Sequence, residues 1–552
     1  MVGYGASAWI VQILLGLLLA ASCTAYGQAL DQMCPRPSAG VTVTNPPELR
    51  SYNGILEVSL HLKYQQTLVS QGPPRYRYLT DDGLESPTLR VYPGDLLIIH
   101  LHNDLPPLAA NATGKQEMKS MANPGDCAGS SMDLSTTNLH FHGMTVPPTC
   151  HQDEVIHTAV QAGQEFEYRV RIPLDEPPGL YWYHPHPHGF SERQVQGGAS
   201  GAIVVEGIEN AVSSVASLHQ RILVLRDQQR IGPEAPGPFV PSWDISVNYV
   251  PVTYPDYQPA TIKIGAGERE LWRVVNAAAD TIFNLQVLMN QVAQPVEMVA
   301  IDGVPLGTAK SIAPGSQTSI LLPPGARAEF VVTAPRQGET AQLITQAWNT
   351  GASGDNDPKR TIANILPSAD SRQEEQKPVV RPQVPKARRA KLPANTTPAV
   401  HRQLYFSQRS SNSQDPDNFV LYFITVAGQT PAAYRMGSPP NIVVHQGDIE
   451  DWTIENRSLE DHVFHIHQLH FKVLVVNGKP VNDPAMRDTV DVPAWSGNGP
   501  YPSVTVGMDF GDPNIVGTFL YHCHILKHED MGMMGSVQVL APSLATTEKG
   551  GR

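Results

Sequence analysis

The sequence predicts an all-β protein built from three copies of one β-sandwich. Three observations predict it. First, a Gly followed by an acid, with an Asn nine residues after the Gly, occurs three times. It reads PGDLLIIHLHN (Gly94, Asn103), AGERELWRVVN (Gly267, Asn276) and QGDIEDWTIEN (Gly447, Asn456). Each is a turn feeding an apolar strand, and recurrence about 175 residues apart means three copies of one unit. Second, apolar residues alternate at period two, as in EFEYRVRIP, where Phe166, Tyr168, Val170 and Ile172 share a face. No stretch shows a long helical period. Third, 49 prolines in 552 residues favour short strands and loops.

In chain order, the N-terminus carries an apolar run from Ala8 to Ala21, the length of a signal-peptide core and short for a membrane span. Residues 1–27 are therefore read as a signal peptide, with lipidation at Cys23 or an uncleaved anchor as the alternatives. The mature protein is expected outside the cytoplasm, periplasmic or secreted, without stable membrane insertion. Three units follow, 40–208, 209–366 and 399–541. Residues 367–398 are charged, proline-rich and poor in large apolar side chains, so they read as an exposed connector. Net charge is −13, from 39 Lys+Arg against 52 Asp+Glu, and no basic stripe offsets it. That argues against a nucleic-acid partner. With Cys23 and Cys523 set aside, three cysteines remain, enough for one disulfide. Cys127 with Cys150 is the preferred pair, and Cys34 with either is close behind.

Histidine placement carries the chemistry. None of the 20 falls between His219 and His401, so the middle unit is almost bare of them. The first unit has NLHFHG (His140, His142) and GLYWYHPHPHG (His184, His186, His188). The third has HVFHIHQLH (His462, His465, His467, His470) and GTFLYHCHILKHEDMGMM, with His522, Cys523, His524 and His528. On a strand, His-X-His puts both imidazoles on one face, while Cys523 faces opposite to His522 and His524. A thiolate with two imidazoles and a long axial Met suits a blue electron-transferring copper. One His-X-His is weak evidence. Four of them, one enclosing a Cys, imply two coupled metal sites joined through the backbone of Cys523.

These motifs, their order, the threefold repeat, AIDGVPL (Ala300 to Leu306) and RDTVDVP (Arg487 to Pro493) resemble the multicopper oxidases, the three-domain laccase-like family. The resemblance implies that each unit is a cupredoxin-like Greek-key sandwich and that the cofactors are four copper ions. It implies a type 1 copper on His462, Cys523 and His528 with Met533 axial, ten residues after the cysteine and in preference to Met531 and Met534. A type 2 copper would take His140 and His465. One type 3 copper would take His142, His184 and His524, and the other His186, His467 and His522. Reduction of oxygen consumes protons, so a nearby carboxylate is expected. Glu529 stands where bacterial spore-coat laccases carry an acid, and Asp153 resembles the aspartate after the family's first motif, with a small shift in alignment.

The expected function is oxidation of phenolic or aromatic amine donors, one electron at a time, coupled to reduction of O₂ to water. The partners are then O₂ and a small reducing substrate. The alternatives are a metal oxidase acting on Fe(II) or Mn(II), and a copper-binding resistance protein without turnover. A cuprous oxidase would carry a methionine-rich insert, and residues 350–440 hold only Met436. His188 and His470 are read as packing or hydrogen-bonding residues, and His100, His102, His151 and His157 as strand or loop residues. Oligomeric state is not legible in the sequence.

Overall fold

In the computed structural model the described residues are 36–65, 74–108, 127, 131–230, 240–307, 318–368, 397–410 and 420–542. The expected signal peptide, Cys23, Cys34 and nearly all of the connector lie outside them. The architecture is all-β, three cupredoxin-like Greek-key sandwiches. In the first, a four-stranded sheet (Arg75–Leu79, Ile55–Gln65, Leu96–Asp104, Glu165–Arg171) faces a five-stranded one (Glu48–Arg50, Thr88–Val91, Gly201–Val205, Gly179–His184, His140–His142). Leu60, Leu101, Phe141, Tyr168 and Ile203 fill the space between. The alternation read in EFEYRVRIP is real, for Phe166, Tyr168 and Val170 are buried while Glu165, Arg169 and Arg171 are exposed. The third sandwich repeats the scheme around Trp452, Phe464, Tyr521 and Cys523, and the middle one around Trp272, Phe283 and Phe330.

The three repeat motifs occupy equivalent places. Each strand, Leu96–Asp104, Arg269–Asn276 and Ile449–Asn456, runs parallel to the unit's long first strand and antiparallel to a later one. The glycine of each has positive φ (92°, 74° and 99°), so a side chain there would be strained. The asparagine explains the end of the motif. Asn103 Nδ2 donates to the carbonyls of Ser135 and Val160, and its Oδ1 accepts from Leu105 N. Asn276 binds Thr281, Leu322 and Ala278 in the same way, and Asn456 binds Glu460, Val492 and Ser458. A buried amide thus satisfies backbone groups where the strand leaves the sheet. In the third unit those carbonyls flank His462, so the repeat positions a candidate ligand.

The preferred disulfide, Cys127–Cys150, is formed, and Cys523 is the free cysteine among the described residues. Between the first and middle sandwiches Leu180, Trp182 and Val204 pack on Ile222, Val224 and Val275.

Glu176 is buried, accepting from Thr145 N. Burial pushes its carboxyl up to about 8. Since this acid is raised in the folded state, its neutral form is free of penalty below the ordinary value near 4.5, and stability drains as pH rises from there toward 8. At ~1.4 kcal/mol per pKa unit the loss reaches several kcal/mol. Glu176→Gln should therefore match the wild-type melting temperature at pH 5 and exceed it at pH 8.5. A difference that does not change with pH would refute the protonated acid.

Candidate metal centres

The strand Gly517–Cys523 pairs antiparallel with His462–Ile466, setting Cys523 opposite Phe464 and His522 opposite His465. Alternation then sends the thiol into the third sandwich's core and His522 to the other face. Cys523 Sγ lies 3.5 Å from His462 Nδ1 and 3.7 Å from His528 Nδ1, and the two Nδ1 atoms are 3.1 Å apart. Ser458 Oγ, 2.7 Å from His462 Nε2, holds that ring with Nδ1 toward the sulfur. Val463 N donates to Sγ. Met533 shares the core around Cys523, and its carbonyl accepts from Cys523 N. Met534 packs instead with Leu520 and Val155, and Met531 is exposed. Burial pushes the Cys523 thiol up and the His462 imidazole down to about 3. Neutral imidazoles are competent ligands, whereas the thiol must release its proton to a metal.

The eight remaining histidines of the four motifs converge in one buried pocket between the first and third sandwiches. His140 stacks on His467 with centroids 3.9 Å apart, and His142 on His465 at 4.0 Å. His522 Nε2 is 3.4 Å from His186 Nε2 and 3.2 Å from His467 Nε2. The His524 ring is 4.9 Å from that of His142 and 5.8 Å from that of His184. Several second nitrogens are held from outside, His140 Nδ1 by Asp153, His465 Nδ1 by Asp488 O and His184 Nδ1 by Pro185 O. The inner nitrogens are not. Nε2 of His140, His142, His184, His465 and His524 is buried without a hydrogen-bond partner among the described residues. An unmet buried polar atom costs roughly 1–3 kcal/mol, so a convergent set of them is a pocket shaped for something that binds nitrogen lone pairs. Burial pushes the imidazoles of His140, His142, His184, His186, His465, His467 and His524 toward the neutral form that metals take. The donor set fits copper.

The two acids expected from the sequence both reach this pocket. Asp153 accepts from Phe141 N, contacts His140 Nδ1 at 3.0 Å and accepts from the Gln468 amide, while its neighbour Glu154 caps the backbone at His157 and Thr158. Burial pushes the Asp153 carboxyl up. Glu529 Oε2 is 3.0 Å from His522 Nδ1 and Oε1 3.5 Å from His186 Nε2, poorly aligned for hydrogen bonds. Burial alone would raise this carboxyl, but the His186 and His522 imidazoles bring it down to about 2.

The middle sandwich, whose single histidine His219 is not a candidate ligand, also reaches the pocket, which sequence reasoning missed. Arg327 grips Asp488 with two nitrogens (2.7 and 2.6 Å), donates to Asp302 O and Leu180 O, and stands 3.2 Å from His142 Nδ1. Arg327, Asp488, Asp302, Leu180 and His142 are all fully buried, so one guanidinium ties the three sandwiches together beside the histidines. Asp302 and Asp488 sit inside AIDGVPL and RDTVDVP, and those segments were the available signal. Arg327, in an ordinary strand pattern, offered none. A Cβ on Gly325 would lie 2.9 Å from His142 Nε2 and His524 Nε2, so only glycine admits the backbone there. His470 Nε2 contacts Asp302 O at 2.9 Å, and His188 packs on Tyr434, outside the nitrogen cluster. His100, His151 and His157 bind Glu57, Glu167 O and Glu154, and His102 stacks on His61.

Comparison with known proteins agrees with this geometry. Two family profiles, both described as multicopper oxidase, match residues 132–210 and 400–543. The multicopper oxidase mco of Staphylococcus haemolyticus is 26% identical over 418 residues, 74% of this chain and 77% of that protein. The laccase of Bacillus subtilis is 22% identical over 69% of this chain and 75% of its own length. Among solved structures, a variant of the McoA multicopper oxidase from Aquifex aeolicus matches with a TM-score of 0.66 at 19% identity, covering 91% of this chain and all of its own. A multicopper oxidase from Campylobacter jejuni described as a metallo-oxidase matches at 0.64 and 23%, covering 92% and 96%. These two likenesses show the shared fold. The profile matches fall on the two stretches where the histidines gather, and over residues 132–210 and 400–543 the chain carries multicopper oxidase domains, the domains of copper-dependent oxidoreductases that use O₂.

Proposed function

We propose that the protein is a laccase-like oxidase taking single electrons from phenolic or aromatic amine donors and reducing O₂ to two waters. The observation that carries this is the set of unpartnered buried nitrogens facing one another across the first and third sandwiches, one residue away from a Cys–His–His group. Four bound coppers, one type 1, one type 2 and two type 3, would store four electrons and deliver them together to oxygen. The chain's own residues do the rest. His462, Cys523 and His528, with Met533 as a further ligand, would hold the donor-facing copper. His140 and His465 are assigned to type 2, His142, His184 and His524 to one type 3 ion, and His186, His467 and His522 to the other. The backbone from Cys523 to His522 and His524 joins the two groups covalently. Asp153 orients His140 through Nδ1. Glu529, an ionised carboxylate against His522 and His186, is the group placed to relay protons at Oε1 or Oε2 beside the oxygen pocket.

The units are taken as 40–208, 209–366 and 399–541. Among the described residues no helix is long and apolar enough to cross a membrane. The apolar run Ala8 to Ala21 supports export, to the periplasm or beyond.

A second reading, a metal oxidase for Fe(II) or Mn(II), draws on the carboxylate of Glu460 at the His528 edge and on the structural relative described as a metallo-oxidase. Oxygen uptake with a panel of phenols, bilirubin, Fe(II), Mn(II) and Cu(I) separates the two. Turnover with metals alone would displace the laccase reading. His465→Ala should keep the blue absorption yet lose oxygen consumption, and retained consumption would remove His465 from the oxygen pocket.

A further inference from the structure

The donor-facing edge of the Cys523 group is closed. His528 directs Nδ1 at the sulfur, so its Nε2 edge is the route by which a donor could touch the site directly. That edge is occupied. The Tyr422 ring lies flat on the His528 imidazole, centroids 4.2 Å apart and planes 20° from parallel. Glu460 Oε2 stands 3.6 Å from His528 Nε2. His528, Tyr422 and Glu460 are only 5%, 6% and 6% exposed, so neither the imidazole nor its cover meets solvent freely. Phe406, 4.9 Å from the His462 ring, closes the neighbouring imidazole from the same sheet.

The cover comes from two separate elements. Tyr422 is on Val420–Val426, paired with Val400–Ser410 at the edge of the seven-stranded sheet. Glu460 is in the turn governed by the repeat's Asn456, whose amide holds the Glu460 carbonyl. The turn therefore fixes the carboxylate, and the sheet fixes the ring.

Resting on the reading of His528 as a type 1 ligand, we propose that Tyr422 and Glu460 form a cover which denies donors contact with His528. Electrons then cross the Tyr422 ring from a donor docked outside it, and the cover, not the imidazole, selects the donor. Tyr422 and Glu460 are specificity-determining residues in this arrangement. Bulk next to a phenolic hydroxyl is of little consequence, because that hydroxyl never reaches Nε2.

Carbethoxylation of the full-length metal-free protein, read residue by residue by peptide mass spectrometry, tests the cover. His401 and His445, with side chains 72% and 66% exposed, serve as internal references. His528 should react at least about tenfold more slowly than either, as for a group that needs local opening. Tyr422→Ala should bring it close to the reference rate, while Tyr422→Phe, which keeps the ring, should leave it protected. Equal rates for His528 and the references in the wild type would overturn the proposal, as would unchanged protection in a folded Tyr422→Ala protein. Should that variant not fold, the wild-type comparison decides alone. In the copper-loaded enzyme, anaerobic bleaching of the blue band by phenols of increasing ortho bulk should vary little in the wild type and steeply in Tyr422→Ala. A wild type as steep as the variant would also overturn it. If the loaded wild type showed no blue band, the type 1 reading would fail, and the labelling result would still report on the cover.

Discussion

Cys523→Ser is expected to yield a folded, colourless protein without oxidase turnover. The side chain is fully buried, and burial keeps the metal-free thiol protonated, so a hydroxyl of similar shape replaces a neutral group. The structural cost should be about 1 kcal/mol, from a slightly smaller atom and the altered contact with Val463 N. The functional cost should be complete, because the blue band and the low-barrier route for electrons both need a soft thiolate. Absorption, copper stoichiometry and melting temperature measured together distinguish loss of the ligand from loss of the fold. A serine variant that remained blue would remove Cys523 from the donor-facing group.

Arg327→Met should cost more stability than any other single change at this interface. The guanidinium is entirely buried and holds Asp488 through two short bonds while Asp302 flanks it. Burial works against the Asp488 charge, and Arg327 prevails, holding that carboxyl well below the usual range. Methionine would strand the carboxylate, and breaking one side of a buried ion pair costs ~3–5 kcal/mol. The double variant Arg327→Met with Asp488→Leu should recover part of that loss, since the Asp488 charge is gone and only the Asp302 carboxyl is left beside the methionine. Thermal unfolding of the single and double variants measures the difference. Since His142 and His465 are held from this same network, copper content should fall in the single variant as well. A single variant within 0.5 kcal/mol of wild type, about the size of an ordinary surface change, would show that the pair is not carrying the interface.

The difference between these two residues marks how far the sequence could be read. Cys523, its flanking imidazoles and the three other His-X-His pairs were legible because strand alternation is a local rule: neighbours face apart and alternate residues face together. The threefold repeat was legible because its glycine and asparagine serve backbone needs that each copy must meet with the same residue types. Asp153 was named from a motif whose alignment carries a small shift, and the structure adds its contact with His140, while the adjacent Glu154 caps the backbone instead. The preference for Met533 over Met531 and Met534 rested on an offset, and packing gives it a physical basis: the three side chains go to different places.

By itself the amino-acid sequence determined the all-β character, the three copies and which side chains could meet on a strand face, since each depends on residues close together in the chain. Only the tertiary structure decided that the middle sandwich lends Arg327 and Gly325 to a pocket whose histidines belong to the other two, and that Tyr422 closes the edge of His528. Those contacts join residues more than a hundred positions apart, where spacing along the chain carries no record of distance in space.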